Sequence, residues 1–188
     1  MNGGSGTAQP LSVLDIDCDV SAALEVCRQT TGREGDLQIT LVVFAVRAAV
    51  LALREVPDLA ARIQNAEGGF AVRVHAATDP PRVLREAERK SLAILAGELR
   101  EDLEPTSETP AVEIFDFTDL GIDRVQAAAT GAPVALGIGA PRLDPGGEGP
   151  GRANFTLSVD TSRIDLAAAA LWFAAFGRRI EDPLEMLL

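Results

Sequence analysis

One histidine, His75, and two cysteines, Cys18 and Cys27, are the side chains of this sequence best suited to proton transfer near neutral pH or to thiol and metal chemistry. The cysteines lie nine residues apart and outside any Cys-x-x-Cys pair. Neither a zinc site nor a disulfide framework is therefore expected, and a reducing, cytoplasmic setting fits best. Cys18 falls inside an alternating run and reads as a small buried apolar residue, as does Cys27. His75 lies in a strand-like run, where it is either a satisfied structural histidine or a general base. Hydroxyls and carboxylates gather at Asp160-Thr161-Ser162-Arg163-Ile164-Asp165. Taken by themselves these residues predict a helix start, with Ser162 as N-cap and Asp165 three positions on completing a capping arrangement. The functional alternative is a pocket built around the hydroxyls and Asp165. Thr118 reads as a strand-end threonine bonding its own backbone.

The elements that would position these groups follow from periodicity. Residues 11–18 alternate apolar and polar and predict a half-buried strand. Asp19 is a candidate N-cap for a helix over 20–29 that Gly32 ends. A second helix, over 39–56, is apolar around most of its circumference and belongs in the interior, with Pro57 marking its end. Residues 69–76 predict a strand broken by Asp79-Pro80-Pro81, and 91–103 an amphipathic helix. Further strands are expected at 111–118, 133–140 and 154–160, with a long Gly- and Pro-rich loop over 141–153. A helix over 163–180 carries Leu171, Trp172, Phe173 and Phe176, and the apolar end, through Leu184, Leu187 and Leu188, needs a pocket. Without strict βαβ alternation, the class is α+β, a mixed sheet covered by helices.

Composition narrows the functions. With 188 residues, 47% of them apolar, the chain can build a core without staples. Residues 1–10 predict a flexible tail, and 11–188 a single domain. Seventeen Lys and Arg against 28 Asp and Glu leave a net charge of -11, which argues against nucleic acid and anionic membrane surfaces as partners. The apolar run at 41–53, interrupted by Arg47, is shorter than the roughly 20 residues of a bilayer span. No signal peptide is visible at the start.

Seven segments in order resemble the catalytic domain of the 2-oxo-acid dehydrogenase (dihydrolipoyl) acyltransferases, which shares the chloramphenicol acetyltransferase fold. Val13-Leu14-Asp15-Ile16-Asp17 is similar to the family's first strand, E-V-D-V, and Gln38-Ile39-Thr40-Leu41 with the helix after it, through Pro57-Asp58-Leu59, to K-L-T…A-L…P-x-L-N. Val83-Leu84-Arg85-Glu86-Ala87-Glu88-Arg89-Lys90-Ser91-Leu92 resembles V-I-R-D-A-D-x-K-S-L. Phe117-Thr118-Asp119-Leu120-Gly121 falls on I-S-N-L-G, and Pro133-Val134-Ala135-Leu136-Gly137-Ile138-Gly139 on P-x-A-I-L-G-V-G. Leu157-Ser158-Val159-Asp160-Thr161-Ser162-Arg163-Ile164-Asp165-Leu166 falls on L-S-V-D-H-R-x-I-D-G, ahead of a closing E-D-P.

The resemblance implies a homotrimer or larger assembly, with each acyl-transfer channel between two subunits. It also implies two chemical roles: the histidine of Asp-His-Arg takes the thiol proton, and the hydroxyl before Leu-Gly stabilises the oxyanion. Thr118 occupies the donor position. Thr161 stands where the histidine would be, Ser162 replaces the arginine and Leu166 the glycine, while Asp160 and Asp165 remain. A positioned base is worth about 10² to 10⁴ in rate, so efficient acyl transfer is not expected. The channel-lining run is shortened to Asp79-Pro80-Pro81, and no lipoyl domain is expected in this chain. Two functions follow: a non-catalytic trimer kept for assembly or partner binding, or a biosynthetic enzyme of altered chemistry. The second would act on a coenzyme A or carrier-protein thioester, with Thr118, Asp165 and His75 lining its pocket.

Overall fold

Alternation in the first strand sets the layering of the domain. In a computed structural model, which describes residues 11–30, 38–66, 68–77, 79–101, 108–143 and 151–187, Leu11–Asp19 forms β1. Its Leu14, Ile16 and Cys18 turn toward the core, and Leu11, Val13, Asp15 and Asp17 face solvent. β1 pairs antiparallel with β6 (Arg152–Asp160), and β6 with β5 (Val134–Ile138). β5 runs parallel to β4 (Val112–Asp116) and β4 parallel to β2 (Val72–Ala76), with β3 (Arg82–Leu84) antiparallel at the far edge. The result is one six-stranded sheet, ordered β1-β6-β5-β4-β2-β3, and the α+β class is as expected from the sequence.

Helices cover one face. α1 (Ser21–Thr30), α2 (Leu41–Leu53), α3 (Pro57–Ile63), α4 (Leu92–Glu98) and α5 (Leu166–Glu181) enclose a core that includes Val72, Ile114, Leu136 and Leu157 of the sheet. Every residue of α2 but Arg47 and Leu51 is buried, as its nearly continuous apolar surface requires. α5 packs on it through Trp172, whose Nε1–H donates to the Ala49 carbonyl at 2.9 Å. No helix of the described residues is long and apolar enough to cross a membrane.

The opposite face is crossed by the segment between β4 and β5. A Cβ on Gly137 would stand 1.9 Å from the Val125 carbonyl oxygen, and one on Gly139 2.0 Å from that of Asp123. Backbone therefore lies directly on backbone at both points, which any larger residue would prevent. The path from β2 to β4, by contrast, returns through β3 and α4 on the helical face.

Several boundaries differ from the sequence expectation. Pro57 starts a helix, α3, instead of only ending one, because a first-turn residue needs no N–H partner. α2 is shorter than 39–56, and β3 was not foreseen. α5 starts at Leu166 rather than 163, since Asp165 is its cap and Ser162 is not. α4 starts at Leu92 and ends earlier than the 91–103 expected, with Ser91 as its cap, the Ser91 Oγ accepting from Ile94 N–H. The Asp19 side chain bonds the Ser21 N–H at the start of α1. The tail over 1–10, Gly32, residues 102–103, the middle of the 141–153 loop and Leu188 lie outside the described residues.

Candidate functional site

Thr118 opens a 3₁₀ turn, Thr118–Leu120, just past the carboxyl end of β4. The turn closes on Gly121 at φ 67, a left-handed conformation that favours glycine. Both the backbone N–H and the hydroxyl of Thr118 donate to Oδ1 of Asp116, at 3.1 and 2.7 Å. Burial raises the Asp116 carboxyl above its ordinary value, against the lowering effect of those two hydrogen bonds, and Asp119 adds to the rise. The Thr118 proton thus points at the carboxylate that ends β4, two residues back. An oxyanion donor needs that proton free. Asp116 was missed in the sequence, where it reads as one more polar residue at a strand end.

The end of β6 repeats the arrangement. Oδ1 of Asp160 accepts the backbone N–H of Ser162 at 3.0 Å and its hydroxyl at 2.5 Å. Held this way, Ser162 does not cap α5. Oδ2 of Asp165 takes that role, accepting the Ala168 N–H at 3.0 Å, with its side chain exposed. A cavity of about 80 Å³ lies beside Asp160, bounded by Ser158, Arg163 and the 128–133 segment. Thr161, between the two anchored residues, offers a hydroxyl that does not ionise near neutral pH.

Topology keeps these two turns apart within one chain. β4 is parallel to β5 and β5 antiparallel to β6, so Thr118 and Thr161 leave opposite ends of the sheet. Asp116 is level with Ile138, and the Asp160 N–H bonds the Pro133 carbonyl. At about 3.3 Å per residue, the ends are about 16 Å apart along the strands.

His75 belongs to a third group. It projects from β2 on the face away from the helices, stacked on Phe115 with centroids 4.3 Å apart and planes 3° from parallel. Its Nε2 is buried and, among the described residues, without a hydrogen bond, 4.0 Å from Oε2 of Glu113. Glu113 is fully buried and accepts from Arg73 Nη1 at 2.9 Å, the Thr130 N–H at 2.7 Å and the Thr130 hydroxyl at 3.0 Å. Burial lowers the His75 pKa, Glu113 opposes that, and Arg73 reinforces it. The register neighbour of Asp116 is Ala76, so His75 and Asp116 project to opposite faces. Neither His75 nor Asp165 lines the cavity beside Asp160 or the larger one at the end of β4. Glu113, a carboxylate inside an apolar strand, was the signal that the sequence reading passed over.

Burial pushes the Cys18 thiol up to about 12, helped by Glu181 and Asp17, and Cys27 up to about 11. Neither is suited to act as a thiolate. Among the described residues no three His, Cys, Asp or Glu side chains group to hold a metal ion.

No family model matches the chain. It is 30% identical over 185 residues to dihydrolipoyllysine-residue acetyltransferase component 3 of the mitochondrial pyruvate dehydrogenase complex of Arabidopsis thaliana, covering 82% of this chain and 33% of that protein. It is 27% identical over 209 residues to the corresponding acetyltransferase component of Rhizobium meliloti, covering 95% and 46%. The chain thus spans less than half the length of both relatives. Among solved structures, the truncated catalytic core of the 2-oxoacid dehydrogenase multienzyme complex from Thermoplasma acidophilum superposes with TM-score 0.75 at 18% identity, over 94% of this chain and 89% of that one. The cubic core of a pyruvate dehydrogenase multienzyme complex gives 0.72 at 20% identity, over 96% and 85%. A chloramphenicol acetyltransferase gives 0.61 at 13%, over 93% and 88%. In sequence along most of its length and in fold, the chain belongs to the catalytic-domain family of the 2-oxo-acid dehydrogenase acyltransferases, built on the chloramphenicol acetyltransferase fold.

Proposed function

We propose that the chain is a cytoplasmic, non-catalytic homologue of these acyltransferase domains, a homotrimer or larger assembly whose role is scaffolding or partner binding. One observation carries this. The position resembling the family's proton acceptor is Thr161, and the hydroxyl at its donor position, Thr118, already donates to Asp116. Both halves of the thioester-exchange machinery are thereby disabled, one by chemistry and the other by a competing acceptor. The trimer is supported by topology: turns at opposite ends of a sheet can face each other only between copies. Leu184 and Leu187, exposed around the 3₁₀ turn Pro183–Met186, offer apolar contact for a neighbour.

Acetyl transfer from acetyl coenzyme A to dihydrolipoamide tests the loss of catalysis. The wild type and Thr161→His with Ser162→Arg are both expected at background, because the variant leaves Thr118 bonded to Asp116. Turnover by the wild type at about 1 s⁻¹ or more, the low end for working enzymes, would overturn the assignment. Sedimentation velocity tests the assembly: a trimer or a multiple of it is expected, and a monomer refutes it.

Asp116 favours a second role, altered chemistry such as acyl transfer or cyclisation on a coenzyme A or carrier-protein thioester. A carboxylate raised by burial takes a thiol proton more readily than an ordinary aspartate. Thioester turnover that disappears in Asp116→Asn would establish it.

A further inference from the structure

The connections on either side of β4 part company. The one from β2 runs over the helical face, through β3 and α4, and the one to β5 crosses the other face over Gly137 and Gly139. Neighbouring parallel strands whose outgoing connections separate in this way leave a crevice beyond their carboxyl ends, the usual place for a ligand in such sheets. Here those ends are Ala76 and Asp116, which are partners in the β2–β4 register. A cavity of about 210 Å³ opens between them, walled by Val42 and Val43 of α2, Val74 of β2 and Leu99 after α4. A dry cavity of about 150 Å³ holds benzene, so this one has room for a small aliphatic molecule.

We propose that this crevice binds a small alkylammonium ion, its aliphatic body on the valines and Leu99 and its ammonium on Asp116. The charge balance of the walls selects that sign, since Asp79, Asp116 and Asp119 stand against Arg82 and Arg100. Arg82 is already engaged, donating through Nη1 to the Glu101 carbonyl. Asp116 is half-buried, whereas Asp79, Asp119 and Arg100 are exposed. Thr118 occupies only Oδ1, and among the described residues Oδ2 of Asp116 has no hydrogen bond. A carboxylate raised by loss of water is stabilised most by a cation that brings its own N–H donors. The site needs no proton acceptor at Thr161 and stands whether or not the assembly proposed above forms.

Calorimetric titration of the full chain at neutral pH with isopentylamine, isopentanol and isovalerate tests it. Saturable binding of the amine is expected, with the alcohol and the carboxylate at least about tenfold weaker. Asp116→Asn keeps an oxygen for Thr118 and should weaken the amine by about tenfold or more. Ala76→Leu, which fills the crevice and leaves Asp116 in place, should abolish binding. Equal affinity for amine and alcohol, tighter binding of isovalerate, unchanged affinity in Asp116→Asn, or no saturable binding of the amine to the wild type would each refute the site.

Discussion

At the scale of the residue, the lone histidine is a stability element whose sign can be worked out. Burial holds its pKa below the ordinary 6.5, with Arg73 adding to the shift and Glu113 opposing it. A lowered folded-state pKa means that the unfolded chain binds the proton more readily, so stability is present above about pH 6.5 and is lost as pH falls through the folded value. The charged groups facing the ring are Arg73 on its own strand and Glu113 on β4, with Thr130 completing the Glu113 shell. His75→Phe keeps the stack on Phe115 and removes the titration. Urea denaturation at pH 7.5 and pH 5 is expected to show a smaller acid loss in the variant than in the wild type. Which residues carried chemistry was partly legible in the sequence. Thr161 stood out by its type at the position resembling the family's proton acceptor, but Asp116 and Glu113 became meaningful only through contacts two residues away or across strands, which one-dimensional patterns do not encode.

Elements were legible where periodicity or punctuation was strong and blurred where tertiary contacts decided the ends. The buried helix α2 and all five expected strands were visible in apolar pattern. The three-residue β3 was not, because so short a run carries no period of its own. The start of α5 was misplaced for a related reason: two capping residues competed, and Asp160 held Ser162 away from the helix. The segment over the open face makes the sharpest demand on a single position. Gly137→Ala would put a methyl carbon 1.9 Å from the Val125 carbonyl oxygen, within a strand whose backbone cannot retreat. The expected cost is about 3 kcal/mol, the upper range for overpacking a tight core, read as a fall in the denaturation midpoint. A stability unchanged within about 0.5 kcal/mol would mean that the segment lies elsewhere.

For the whole molecule, the question is where the exposed leucines go. A net charge of -11 keeps copies apart at long range, so the assembly proposed above would have to rest on close apolar contact. Leu184 and Leu187 stand out on the last turn, 67% and 46% exposed, while the neighbouring Met186 is buried and anchors that turn to the domain. Replacing both leucines with aspartate is expected to leave the circular dichroism spectrum and monomer stability unchanged and to shift sedimentation toward smaller species. Unchanged sedimentation would assign the contact to another surface.

The bond from Trp172 to the carbonyl of Ala49 ties the sole indole of a tyrosine-free chain to the middle of its most enclosed helix. The protein therefore carries an optical gauge of its own interior. Ultraviolet emission from this one ring stays blue while α2 and α5 remain docked and reddens when they part. Because Trp172 is not among the walls of the β2–β4 crevice, occupancy there should leave the colour of that emission unaltered, so a single cuvette can separate loss of the core from events at the sheet's end.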